Sequence, residues 1–131
     1  MDSLVLDTDV CSFLRKPGPL AELYRTDLIG HRLCVSFQTV AELYQLAEFR
    51  NWQETRRRAL EEWLRNFVAL PFDNETCRHW AEIRAARRHQ TISPQDAWIA
   101  ASALRHGLPL VTHNAGDFTN IPKLIVITHG Q

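Results

Sequence analysis

Asp7 ends the apolar run Leu4-Val5-Leu6, and a second acid, Asp9, follows two places later. Three further acids stand in compact motifs. Glu42 lies in Thr39-Val40-Ala41-Glu42-Leu43. Asp96 opens Asp96-Ala97-Trp98-Ile99-Ala100-Ala101. Asp117 lies in Thr112-His113-Asn114-Ala115-Gly116-Asp117-Phe118. Carboxylates that converge repel one another and take up protons unless a cation sits among them. Hard oxygen donors select Mg²⁺ or Mn²⁺ over softer metals. Such an ion delivers a hydroxide and steadies charge on a phosphate, and two ions about 3.5–4 Å apart grip both the attacking and the leaving oxygen. If these acids meet, the reaction they suit is phosphodiester hydrolysis.

Each acid also has a plainer role open to it. Ser93-Pro94-Gln95-Asp96 is a helix start, with a serine cap, proline at the first helical position and an acid three after the serine. Asp9 is expected to cap a short helix from Val10 to near Lys16, stopped by Pro17 and Gly18. Asp117 can hold a turn beside Gly116, and a solvated glutamate such as Glu42 is common on a helix. Asp7 is harder to place, because a carboxylate ending a buried strand needs a partner.

The elements between these acids decide whether they meet. Leu4 to Leu6 reads as a strand buried on both faces. Residues 19 to 29 form an amphipathic helix with Leu20, Leu23, Tyr24 and Leu28 on one face, closed by Gly30. Leu33 to Ser36 is a short strand, and a helix from about Thr39 to Arg50 carries Glu42. After a break at Asn51 and Trp52, residues 53 to 67 make a charged helix striped by Leu60, Trp63, Leu64 and Phe67. The two form an αα-hairpin expected to project from the sheet. Val68 to Phe72 is a third extended segment. Asp73 or Asn74 caps a helix ending near His89, and the small, apolar helix to His106 ends at Gly107. Leu108 to Thr112 and Leu124 to Ile127 are the last strands. Strands alternating with helices imply βαβ units, an α/β fold with a mostly parallel sheet and helices on both faces. Strand ends and the helix starts that follow share one edge of such a sheet, so all four acids can converge there.

The chain has 131 residues and no linker or low-complexity stretch, so residues 1–131 are expected to form one domain. A hydrophobic content of 45% argues against disorder. No apolar run approaches the roughly 20 residues of a membrane span, and none resembles a secretory signal, so the expected location is the cytoplasm. Cys11, Cys34 and Cys77 are widely spaced and read as packing residues. Fifteen basic residues balance fifteen acidic ones, but only Lys16 and Lys123 are lysines. Arginine's planar fork suits phosphate, so zero net charge does not exclude nucleic acid.

Four stretches now carry a resemblance: Leu6-Asp7-Thr8-Asp9-Val10, the Glu42 motif, the Asp96 motif, and Leu110-Val111-Thr112-His113-Asn114 with Asp117-Phe118. Together the chain resembles the PIN-domain ribonucleases, and in particular VapC-type toxins of bacterial toxin–antitoxin pairs. The resemblance implies a three-layer α/β/α sandwich. It places the family's metal-binding and catalytic acids on Asp7, Glu42, Asp96 and Asp117, with Thr112, Asn114 and Asp9 in support. Gln95 stands where many members have asparagine. The resemblance further implies Mg²⁺- or Mn²⁺-dependent cleavage of RNA, dimerisation or a higher assembly, and neutralisation by a small antitoxin protein.

Arg84, Arg87 and Arg88, spaced to share a helical face, are candidate RNA contacts. Arg56, Arg57 and Arg58 on the hairpin are a second group, with Arg58 well spaced to pair with Glu61 or Glu62 instead. Trp63, Trp80 and Trp98 read as packing residues, and Trp52 as a surface for an antitoxin helix or a dimer mate. Leu43, Leu46, Leu60 and Trp63 suggest a hydrophobic groove on the hairpin.

Two other readings compete. Asp7-Thr8-Asp9-Val10 also matches the opening motif of haloacid-dehalogenase-like phosphatases, with Asp7 as nucleophile and Asp9 as general acid/base. That chemistry needs a well-placed lysine and a later pair of acids, which the sequence does not supply. A non-catalytic RNA- or protein-binding module on the same fold is the other.

Overall fold

The structure, a computed structural model, describes residues 2–130. Its frame is a five-stranded, wholly parallel sheet built from β1 (Ser3–Leu6), β2 (Arg32–Ser36), β3 (Val68–Leu70), β4 (Leu110–Val111) and β5 (Val126–Ile127), in the order β3-β2-β1-β4-β5. The chain runs outward from β1 through β2 to β3, then returns to the other side of β1 as β4. The split between β1 and β4 is therefore the topological switch point, where parallel α/β sheets bind ligands beyond the strand carboxyl ends.

Among the described residues six helices cover the sheet: α1 (Thr8–Leu14), α2 (Pro19–Leu28), α3 (Phe37–Phe49), α4 (Glu54–Leu64), α5 (Asn74–Ala86) and α6 (Pro94–His106). Alternation along the strands sorts the core into two halves. Leu4, Leu6, Val35 and Val111 face α1 to α4, whereas Val5, Cys34 and Leu110 face α5 and α6. The result is a three-layer α/β/α sandwich, as expected. Alanines 97, 100, 101 and 103 of α6 are fully buried, which lets that helix sit close on the sheet. Its ends follow the sequence: Ser93 Oγ accepts the Asp96 N–H, and Gly107 closes the helix in a left-handed conformation (φ 65°) where a side chain would be strained. Among the described residues no helix is long and apolar enough to cross a membrane.

Several expectations are corrected. The first helix begins at Thr8, and its cap is Asp7, not Asp9: Asp7 Oδ1 accepts the Thr8 N–H at 2.8 Å. The α3–α4 hairpin does not stand clear of the fold. Leu43, Ala47, Trp52 and Leu60 are buried in the core on that face, with Leu46 and Trp63 packed against them, so the apolar excess belongs to this chain's own interior. Trp52 is only 6% exposed and lies beneath the guanidinium groups of Arg15 and Arg56, 4.8 and 4.0 Å from its ring centre. Arg57 clamps the same turn, donating to the carbonyls of Trp52 and Ala47 and pairing with Glu48. Arg58 pairs with Glu54 rather than Glu61 or Glu62, because both sit on the first turns of α4. On α2, Tyr24 and Leu28 are buried while Leu20 and Leu23 stay more than 40% exposed. Cys77 is exposed, unlike Cys11 and Cys34.

Candidate active site

β1 delivers Asp7 to the carboxyl edge beside β4, whose Val111 carbonyl accepts the Asp7 N–H at 2.9 Å. Both carboxylate oxygens of Asp7 are held: Oδ1 by the Thr8 N–H, and Oδ2 by the Thr112 hydroxyl at 2.7 Å. Thr112, fully buried, in turn accepts the Asn114 N–H through its Oγ1 at 3.1 Å. One threonine thus fixes both the acid and the turn that follows β4. Asp9, on the first turn of α1, reaches across to the turn after β4. Its Oδ2 accepts the His113 N–H at 3.1 Å and the Asn114 side-chain amide at 2.9 Å. Asp9 therefore braces the β4 turn rather than capping a helix.

Glu42 arrives from α3, which starts where β2 ends: Ser36 caps it by accepting the Thr39 N–H at 3.2 Å. The Glu42 carboxylate accepts from the Thr8 hydroxyl and, at 3.2 Å, from the Gln38 amide. Thr8 and Thr39 hydroxyls lie 2.9 Å apart and link α1 to α3. Thr8, directly beside Asp7, is a supporting residue that spacing alone did not single out.

Asp96 sits on the first turn of α6, and Asp117 on a 3-10 turn, Ala115–Phe118, after β4. Arg87 explains how Asp117 is held. The α5 helix ends at Ala86, and Arg87 turns inward to 6% exposure, donating to the carbonyls of Gln90 at 2.9 Å and Asp117 at 2.7 Å. The expectation of Arg84, Arg87 and Arg88 as one exposed RNA-binding face is therefore corrected. Arg84 is half-buried, bonded to the Ile92 carbonyl and lying over Trp80, and only Arg88 is fully at the surface.

The electrostatics agree with convergence. Burial, then the charges of Asp9 and Asp96, push Asp7 up to about 7. Burial raises Asp96 as well, and Asp117, Glu42 and Asp9 add to the effect. Burial likewise raises Asp9. The charged groups acting on Asp7 and Asp96 are thus other carboxylates, an arrangement that a cation would relieve. Among the described residues no three acid, histidine or cysteine side chains are already gathered on one point as ready ion ligands.

A buried tyrosine that the sequence pattern marked only as an apolar position ties the site to the chain's end. Tyr24 Oη lies 2.6 Å from His113 Nδ1 and 3.3 Å from the Thr112 carbonyl, and accepts the His129 N–H at 3.0 Å. His129 also meets Asp27 through its ring. The turn carrying Thr112, His113 and Asn114 is consequently gripped from α1 by Asp9 and from α2 by Tyr24.

Residues 4–124 match the PIN domain family. The chain belongs to that family. Over 122 residues this PIN chain is 32% identical to ribonuclease VapC2 of Haemophilus influenzae, an alignment covering 92% of each protein. It is 33% identical over 126 residues to tRNA(fMet)-specific endonuclease VapC of Salmonella typhimurium, covering 95% of this chain and 96% of that one. Among solved structures, VapBC-1 from nontypeable Haemophilus influenzae is similar with a TM-score of 0.81 and 30% identity, covering 96% of this chain and 97% of its counterpart. Membership of the PIN family removes the haloacid-dehalogenase-like alternative for Asp7 and Asp9.

Proposed function

We propose that this PIN chain is a divalent-metal-dependent endoribonuclease and the toxin of a toxin–antitoxin pair. The observation that carries the reading is the electrostatic coupling of the acids: burial first and then neighbouring carboxylates raise Asp7 and Asp96, with Asp96 acting on Asp7 and with Asp117 and Glu42 acting on Asp96. The names of the ribonuclease and endonuclease relatives support it. The donor set is all oxygen, which fits Mg²⁺ or Mn²⁺. Mg²⁺ keeps several of its waters and takes only one or two carboxylates directly, so a site need not close three acids on one point. Asp7 and Asp96 would hold the ion, with Glu42 and Asp117 reaching it directly or through water. The bound ion would supply a hydroxide at neutral pH and offset the charge of the phosphate.

The chain's own residues do the rest. Thr112 and Thr8 fix the Asp7 and Glu42 carboxylates so that their free lone pairs stay aimed at the site. Asp9 and Asn114 hold the β4 turn, and Arg87 holds the backbone of Asp117. Arg88, exposed beyond the end of α5 and bonded to the Ala85 carbonyl through Nε alone, is the arginine of its group best placed to meet a phosphate backbone. A small antitoxin protein is the proposed partner: Leu20, Leu23, Tyr44 and Phe49 remain exposed on α2 and α3, and VapBC-5 of Mycobacterium tuberculosis, similar to this chain, is a member of the VapBC family of toxin–antitoxin systems. Assembly as a homodimer or larger toxin–antitoxin complex, and action in the cytoplasm, belong to the same proposal.

The test is cleavage of total RNA by the purified chain with Mg²⁺ or Mn²⁺. EDTA should stop it, and Asp7→Asn and Asp96→Asn should abolish it. Undiminished cleavage by either variant would remove the assignment, and a metal-loaded wild type that leaves RNA intact would favour the non-catalytic binding module.

A further inference from the structure

Between α3 and α6, at the edge of the acid cluster, lies an open cleft of about 470 Å³. Its walls are Gln38, Glu42 and Gln45 from α3, and Ser93, Gln95 and Asp96 from the start of α6. The α3 residues recur at i, i+4 and i+7 and so line one helical face. Gln38 is engaged, its amide nitrogen donating to Glu42. Gln45 and Gln95 are exposed, and among the described residues neither side chain makes a hydrogen bond within the chain.

The charge pattern selects the ligand. No lysine or arginine lines the cleft, and its two charged groups are the carboxylates Glu42 and Asp96. With those two acids committed to the proposed ion, the unpaired polar groups left on the walls are the uncharged amides of Gln45 and Gln95, which offer a phosphate no charge. A glutamine amide instead matches the edge of a neutral group with one donor and one acceptor. We propose that this cleft is a nucleobase subsite, in which Gln45 and Gln95 read the base of the nucleotide next to the scissile phosphate. The inference rests on the ribonuclease reading and deepens it.

The experiment maps cut ends in a randomised single-stranded RNA treated with the purified chain and Mn²⁺. Wild type should prefer particular bases at a nucleotide adjoining the cut. Gln45→Ala and Gln95→Ala should flatten that preference about tenfold, the size expected for losing one good base contact. Gln45→Glu keeps the side chain's size but can only accept, so it should disfavour uracil, the base without an exocyclic amino group. Thermal melts would establish that these surface variants are folded. Cleavage that keeps the wild-type base pattern in all three variants overturns the subsite while leaving the ribonuclease reading standing. A uniform drop in rate without a change of pattern also overturns it, since contacts to ribose or backbone would behave that way. Absence of metal-dependent cleavage by wild type overturns both.

Discussion

Asp7→Asn should stabilise the metal-free protein at alkaline pH, although it removes the residue on which the proposed activity most depends. Asp7 is 7% exposed, and burial with Asp9 and Asp96 nearby raises its pKa from 3.8 to about 7. The folded state therefore holds this proton more tightly than the unfolded chain. The cost of ionising it is absent below about pH 4, grows by about 1.4 kcal/mol per pH unit, and is complete above about pH 7. At pH 8 it amounts to about 4 kcal/mol, an order-of-magnitude figure. Asparagine avoids that cost but loses a bond. Its oxygen can keep the Thr8 N–H, while its amide faces Thr112 Oγ1, which already accepts from Asn114 and is left with a hydroxyl proton unplaced. That loss costs about 1 kcal/mol. The net expectation at pH 8 is a gain of about 3 kcal/mol, shrinking by about 2–3 kcal/mol on going to pH 5. Urea unfolding with EDTA present, repeated from pH 5 to 8, measures it by linear extrapolation. Saturating Mn²⁺ should reverse the order, because only wild type gains by binding the ion. If the variant differs from wild type by the same amount at pH 5 and pH 8, the carboxylate is not electrostatically burdened and the case for a cation at this edge is lost.

The other expectations are simpler. Tyr24→Phe keeps the buried ring but frees His113 and His129; it should cost about 1–2 kcal/mol and lower kcat more than it raises KM, as read by steady-state cleavage of an RNA oligonucleotide. Arg87→Ala should destabilise the protein by about 2–3 kcal/mol by leaving two carbonyls unpaired, and Arg87→Lys should not restore it, because one ammonium cannot serve both in the guanidinium's geometry; chemical unfolding would show either outcome. Ser93→Ala removes the α6 cap and should lower stability by about 1 kcal/mol, with faster hydrogen exchange confined to the first turn as the signature.

Much of this was written locally. Short apolar runs alternating with 3.6-residue periodicity determined an α/β fold, since strand and helix patterns are set by neighbours in sequence. The caps at Ser93 and Gly107, and the placement of Asp7 at a strand end, were legible for the same reason. Tertiary structure decided what depends on residues far apart in the chain. Asp7 meets Thr112 and Asp9 meets Asn114 across 105 positions, and those contacts tie both acids to the turn after β4. Arg87 reads as surface charge until the end of α5 turns it onto the carbonyl of Asp117. Trp52 reads as exposed because it interrupts two helices, yet the packing of α3 and α4 closes over it. The sequence by itself determined which acids the proposed chemistry would use. The tertiary fold decided which side chains hold that chemistry in place, because burial and long-range hydrogen bonds are properties of the packed molecule and leave no local periodicity to read.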